Sequence, residues 1–274
     1  MRHRSLRASA NRISAMVLRY VYLLKGSWAR VFELIYWPAV QMITWGFLQA
    51  YLGQGSSDSS GRLRIAGGVL IGSMLLWDIL LRGQLGFSIG FLEEMWSRNI
   101  GNLLMSPLRP WEFVASLVLL SILRLVISLV PVTLMAIVFF GYDLWSLGLG
   151  LGLFFANLLL TGWAIGLVVC GIVLRNGMGA EGLVWGIVFV MMPFCCVYYP
   201  VSTLPPWLQG VAWSLPPTYV FEGLRTLTSE HVLRLDLMAR AGSINLLLFA
   251  VSATIFFSLL EAARRAGKLM QTDE

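Results

Sequence analysis

Lysine and histidine are nearly absent from this 274-residue sequence, with two of each, and only 12% of its residues are charged. Each scarcity excludes a chemistry. A phosphate-cradling P-loop needs Gly-Lys followed by Ser or Thr. Lys25 lies between Leu24 and Gly26, and Lys268 follows Gly267 but precedes Leu269. Neither fits, so ATP hydrolysis is not expected of this chain. The histidines are His3 in the N-terminal tail and His231 beside Glu230, which leaves no persuasive Ser-His-Asp arrangement. The cysteines, Cys170, Cys195 and Cys196, lie in apolar runs with two of them adjacent. That pattern fits neither a disulfide framework nor zinc-ligand spacing. No metal or cofactor site is therefore expected in the chain.

What the sequence has in excess is apolar surface. Hydrophobic residues make up 58% of it, too much to hide in one soluble core of this length. Several runs reach the roughly 20 mostly apolar residues needed to span the hydrocarbon layer. The net charge of +6 is concentrated at one end: Arg2, Arg4, Arg7, Arg12, Arg19, Lys25 and Arg30 fall in the first 30 residues, which contain no acid. A basic segment ahead of a membrane span reads as a topology signal facing anionic cytoplasmic lipid, not as a nucleic-acid site. No cleavable signal peptide is expected, because the first long apolar stretch starts beyond residue 30.

The expected fold is an all-α membrane protein with six transmembrane helices. Residues 1–30 form a cytoplasmic amphipathic interface helix, since Leu6, Ile13, Met16, Val17, Tyr20, Val21 and Leu24 recur at helical spacing with Arg12 and Arg19 on another face. Residues 31–262 form the transmembrane domain, and 263–274 a cytoplasmic tail. Span one covers about Val31 to Leu52 with a kink at Pro38, followed by a Ser- and Gly-rich loop from Gly53 to Gly61. Span two covers about Ile65 to Ser88. A polar stretch from Glu93 to Glu112 is broken by Pro107 and Pro110. Span three runs from about Phe113 to Phe140, and Gly141, Tyr142 and Asp143 turn into span four. That span extends through the uncharged stretch from Leu144 to Leu174, longer than one crossing needs. From Gly182 to Phe221 no residue is charged, but six prolines punctuate the stretch. It reads as span five to about Tyr199, then short re-entrant outer helices between spans five and six. Span six covers about Ala241 to Leu260. With both termini inside, thirteen basic residues are cytoplasmic and five lie in outer loops, as the positive-inside rule requires.

Three charges interrupt the apolar runs: Asp78, Arg82 and Arg124. Ionisable groups at membrane depth are expected to pair or to face water. Ten residues separate Asp78 from Ser88, and eleven separate Arg124 from Phe113. On those span limits the two lie at similar depth and are expected to pair, with Arg82 sharing the carboxylate or snorkelling outward. On the outer side Tyr198, Tyr199, Trp207, Trp213 and Tyr219 form an aromatic set suited either to the membrane interface or to an outer gate or substrate path. Glu93-Glu94-Met95-Trp96-Ser97-Arg98 resembles the EExxxR element of the intramembrane proteases of the CAAX-processing class. The histidine elements those enzymes need are missing, with Leu227 and Leu235 flanking the lone His231, so the motif reads as a charged cytoplasmic turn.

Two segments together resemble the ABC-2 permease family. Arg98-Asn99-Ile100-Gly101-Asn102-Leu103-Leu104-Met105-Ser106-Pro107-Leu108-Arg109-Pro110 is similar to the family's cytoplasmic loop after span two. Tyr199-Pro200-Val201-Ser202-Thr203-Leu204-Pro205 and Leu215-Pro216-Pro217-Thr218-Tyr219-Val220-Phe221-Glu222-Gly223-Leu224-Arg225 resemble its outer segment between spans five and six. The resemblance implies the permease subunit of an ATP-driven exporter in the bacterial inner membrane, both termini cytoplasmic, moving a lipid-linked glycan, a lipid or a drug-like amphiphile outward. It implies two copies of a cytoplasmic ATP-binding subunit, which use ATP and Mg, and a second permease, identical or paralogous. The coupling loop would comprise Glu94, Arg98, Asn102, Leu103, Leu104 and Arg109. Membrane lipid is the remaining expected partner. A secondary transporter or channel is the competing class, but the paired interrupted spans of inverted repeats are not apparent.

Overall fold

The computed structural model describes residues 2–54 and 62–265 and, within them, the side chains of 6–51, 69–103 and 105–265. The expected loop from Gly53 to Gly61 and the tail beyond Arg265 lie largely outside the described residues, as do the side chains of Leu104, Arg62 and Arg64. Among these residues ten α-helices carry the fold: α1 (Arg2–Lys25), α2 (Trp28–Gln54), α3 (Arg62–Trp96), α4 (Ile100–Met105), α5 (Pro110–Phe140), α6 (Leu149–Asn176), α7 (Gly182–Phe194), α8 (Pro206–Trp213), α9 (Pro216–Glu230) and α10 (Leu235–Arg265). No strand occurs among the described residues.

Among the described residues four segments are both long and apolar enough to cross a membrane: Val69–Trp96, Pro110–Phe140, Leu149–Asn176 and Leu235–Arg265. Helix α2 has the length, at 27 residues, but Trp, Tyr and Gln dilute its apolar character. Helix α7 is apolar throughout but has only 13 residues, about 20 Å of helix, and stops at Phe194 rather than near Tyr199.

Pro110 and Gly141 act where they were expected to, whereas Pro193 is carried inside α7. Pro110 opens α5 at a position where its missing N–H costs nothing, while Pro38 is carried inside α2. Gly141 closes α5 in the left-handed conformation, φ 63°, letting the Tyr142 N–H reach the Ala136 carbonyl at 3.1 Å. The long uncharged stretch near span four is divided: Leu144–Leu147 form a 3-10 turn, Gly148 breaks the chain at φ 55°, and α6 follows.

Helix α3 lies at the centre, with α2, α5, α6 and α9 packed round it. Glycines set the closest approaches. A Cβ on Gly162 of α6 would lie 2.9 Å from the Leu80 carbonyl oxygen and 3.0 Å from the Gln84 nitrogen of α3; one on Gly86 would lie 2.9 Å from the Ser121 Cα of α5. Residue pairs such as Gly166 with Phe87 and Gly171 with Leu259 show that α3, α6 and α10 descend in parallel while α5 returns against them. Helices α6 and α10 are also joined by a buried polar network: Asn245 Nδ2 donates to Asn157 O and Oδ1 at 2.9 and 3.0 Å, and Thr161 Oγ1 donates to Asn245 Oδ1 at 2.7 Å. In a bilayer such bonds are a main source of helix association, because lipid competes for apolar contact. The bundle thus has a basal end, where α1, α4 and the termini of α3 and α5 meet, and a distal end carrying α8 and α9.

Candidate functional site

At the basal end the acid-free helix α1 meets the acidic ends of two central helices. Arg12 Nε and Nη2 donate to the two Glu112 oxygens at 2.8 and 2.6 Å, and Glu112 is fully buried. About two turns along α1, Arg19 donates to both oxygens of Glu94 at 2.7 and 3.2 Å. The bidentate fork fixes orientation as well as distance. The hydrogen bond to Glu112 raises the pKa of Arg12, and burial pushes the Tyr20 phenol up, with the Glu94 charge adding to it. Glu112 also accepts the Arg109 backbone N–H at 2.9 Å, closing the first turn of α5.

Between these anchors the turn is tightly organised. Asn99 donates to Glu94 through both its side chain, 2.7 Å to Oε2, and its backbone, 2.9 Å to the carbonyl. Arg98 takes up the positive φ, 54°, that this closure needs. The six residues proposed for coupling therefore divide. Glu94 is buried and committed to α1 and the turn. Leu103 tucks against the apolar core beside Leu108. Arg98, Asn102 and Arg109 form an exposed rim, with Met105 between them 68% exposed. Leu104's side chain lies outside the described residues.

The charges within the long apolar helices correct the expected pairing. Arg124 pairs with Glu93, Nη2 lying 2.9 and 2.8 Å from its two oxygens, and not with Asp78. Asp78 is paired within its own helix, accepting from Arg82 Nε at 3.2 Å. The cause is the length of α3, which continues past Ser88 to Trp96. Asp78 is consequently 18 residues from the basal end of α3, whereas Arg124 is 14 from that of α5. Side chains also lean toward the N-terminus of their helix. In an antiparallel pair this turns Asp78 distally and Arg124 basally, so they diverge, while Arg124 and Glu93 converge. Arg30 of α2 adds a second cation 3.7 Å from Glu93.

The five distal aromatic residues are not gathered into one site. Tyr198 stacks on Trp45 of α2 with centroids 4.4 Å apart, and Tyr199 donates its hydroxyl to the Pro193 carbonyl. Trp207 stands exposed on α8. Only Trp213 and Tyr219 meet, their centroids 4.9 Å apart, with the Tyr219 hydroxyl on the Trp213 carbonyl at 2.8 Å.

Charges for which no pairing was expected shape both ends. Glu222 Oε1 accepts the Val201 N–H at 2.8 Å and Arg225 Nη1 at 3.1 Å, while Arg225 Nη2 donates to the carbonyls of Cys196 and Val197. This pair clamps the chain reversal after α7. Arg12, Arg19, Glu93 and Glu112 are the basal counterpart. The signal for their pairing in the sequence was complementary: an N-terminus without acids and a polar stretch from Glu93 to Glu112 holding three.

A family model described as ABC-2 type transporter matches residues 18–228, which runs from the last third of α1 into the last turn of α9. No curated protein matches the chain.

Proposed function

This chain belongs to the ABC-2 type transporter family and is thus a membrane transporter subunit of an ABC system, and from that premise we propose that it is the permease of an exporter that moves an amphiphilic molecule outward. A transport permease of this family is not itself catalytic; the family normally works with a cytoplasmic ATP-binding subunit. Two copies of that subunit, using ATP and Mg, bind a pair of permeases, identical or paralogous. The chain crosses the bacterial inner membrane six times with both termini in the cytoplasm, α2 and α7 supplying the two spans beyond the four strongly apolar ones.

The observation that carries this reading is the basal rim. Arg98, Asn102, Met105 and Arg109 project from a short helix and its flanks, held by a turn whose buried acid is tied to α1. A push on that rim is delivered to the ends of α3 and α5 together, because the turn joins them directly. With the basal end cytoplasmic, this is where an ATP-binding subunit docks. The amphiphilic substrate, a lipid-linked glycan, lipid or drug-like molecule, passes toward the distal end along a path bordered by Tyr198, Tyr199, Trp207, Trp213 and Tyr219.

The test is co-expression with an ATP-binding subunit encoded beside this chain. Copurification of the two, lost on Met105→Asp while the permease still elutes as a folded species, supports the reading. Retention of the ATP-binding subunit by that variant moves its docking site elsewhere. Absence of any copurifying ATPase favours a transporter that runs without ATP.

A further inference from the structure

Where α8, α9 and α10 converge at the distal end, the structure leaves a half-open cavity of about 530 Å3. Trp213 and Tyr219 form one wall, Leu237 the floor, and Glu222, Arg234 and Arg240 supply charge. Much of that charge is already committed. Arg234 is held by Asp236, with bonds of 2.9 and 2.7 Å. Glu222 uses a single oxygen, Oε1, for both Val201 and Arg225. Two groups remain. Glu222 Oε2 accepts no hydrogen bond among the described residues, although its carboxylate is paired with Arg225 through Oε1, and the Arg240 guanidinium has no hydrogen-bond or ion-pair partner among them. One cavity thus offers a free carboxylate oxygen on α9, an uncommitted cation on α10 and an aromatic pair beside them.

The surface below the cavity is apolar. Leu247 and Val251 follow Arg240 at the helical spacings of seven and eleven residues, so they share its face of α10, and they are 65% and 48% exposed. A ligand with one charge of each sign and an apolar extension matches this layout. A guanidinium takes a phosphate ester bidentately, an ammonium is held by a carboxylate oxygen and by aromatic faces, and alkyl chains lie along the leucine and valine stripe.

We propose that this cavity binds the zwitterionic headgroup of a membrane lipid, its phosphate ester on Arg240 and its ammonium on Glu222 Oε2. The proposal rests on the distal end lying at a bilayer surface, and it concerns binding alone, with no ATP-binding subunit required.

The experiment titrates the full chain, purified in lipid-free detergent, with dihexanoyl phosphatidylethanolamine, dihexanoyl phosphatidylglycerol, inorganic phosphate and ethanolamine. Binding is read by calorimetry and native mass spectrometry. One phosphatidylethanolamine per chain is expected, bound more tightly than phosphatidylglycerol, with the free phosphate and ethanolamine far weaker. Arg240→Gln weakens the phosphatidylethanolamine by about tenfold or more, as loss of a charge-assisted pair does, and Arg240→Lys restores part of it. Arg240 is exposed and holds no other element, so the variant keeps its fold; the comparison among ligands needs no variant at all. Equal affinity of wild type and Arg240→Gln overturns the proposal, as does phosphatidylglycerol binding as tightly as phosphatidylethanolamine. Inorganic phosphate binding as tightly as the lipid overturns the lipid source. Failure of the chain to copurify with an ATPase would leave these outcomes unchanged, so the two readings fail separately.

Discussion

Arg124 of α5 and Glu93 of α3 form a cross-helix ion pair at 2.8 and 2.9 Å, with the arginine side chain only 6% exposed. Removing Glu93 strands the buried arginine, which costs on the order of 3 kcal/mol, whereas removing Arg124 leaves Glu93 with Arg30 alone at 3.7 Å. Glu93→Gln and Arg124→Gln are therefore each expected to lower the yield and melting temperature of the purified protein. The exchange Glu93→Arg with Arg124→Glu should recover part of the loss. Exchange between Asp78 and Arg124 should recover none, since those side chains lean apart. Recovery by the Asp78 exchange alone would overturn the geometry.

The basal clasp makes a prediction about α1. Glu112 is buried and holds Arg12, which is 27% exposed. Arg12→Gln leaves a buried carboxylate with fewer donors, a loss of roughly 1–3 kcal/mol at that end. Together with Arg19→Gln it should release α1 from the bundle, seen as faster hydrogen exchange over α1 with little change in α6 or α10. Unaltered exchange in the double variant would mean that apolar packing by Met16, Tyr20 and Leu24 holds α1 without the ion pairs.

Leu103 and Met105 separate docking from folding. Because Leu103 is packed against the core, Leu103→Asp should lower thermal stability along with any loss of ATPase coupling. Met105→Asp changes an exposed side chain and should leave the melting temperature within a few degrees while reducing ATPase binding. If Met105→Asp destabilises as much as Leu103→Asp does, the rim is packed against protein rather than open to a partner.

Much of this architecture was legible in the sequence because its signals are local. The apolar runs, Pro110 at a helix start, Gly141 at a helix end and the acid-free N-terminus each act within a few residues. The Asp78–Arg124 pairing failed for the opposite reason. It depended on the end of α3, and the segment from Ile89 to Trp96 carries two glutamates that read as a loop. Burial against Arg19 and Arg124 keeps it helical, a tertiary effect that no window of sequence contains. The aromatic set likewise shares a compositional label, but tertiary packing sends its members to α2, to a helix end and to one another.

Glycine substitutions should separate by sign. A Cβ at Gly162 meets backbone atoms of α3 at 2.9 and 3.0 Å, which cannot rotate away. Gly162→Ala is expected to force α3 and α6 apart and cost about 1–3 kcal/mol. Gly186→Ala, in a helix with open space around it, should be neutral or stabilise by up to about 1 kcal/mol through helix propensity. Thermal melts of the two variants in the same detergent compare them directly; equal shifts would argue against the close α3–α6 approach.

The distal clamp offers the sharpest test of the broken backbone after α7. Cys196 has φ 53°, a conformation costly for a residue with a Cβ, and its thiol is buried. Its carbonyl is tied to Arg225, which also binds the Val197 carbonyl at 3.0 Å and Glu222 at 3.1 Å. Nothing else among the described residues donates to the Cys196 carbonyl, so the arginine is what satisfies it beyond the end of α7. Arg225→Gln keeps a donor but loses the fork that spans two carbonyls and a carboxylate. The reversal should then open and expose the thiols. In a Cys170→Ser background, maleimide labelling of Cys195 and Cys196 in intact membranes is expected to be slow with Arg225 present and at least about tenfold faster in Arg225→Gln, as freed burial of this kind allows. A Cys196→Gly variant that retains Arg225 should be no less stable than the parent, because glycine adopts that φ without strain. Slow labelling in a folded Arg225→Gln variant would show that the surrounding apolar packing of Val201 and Ala212, and not the arginine, holds the reversal shut.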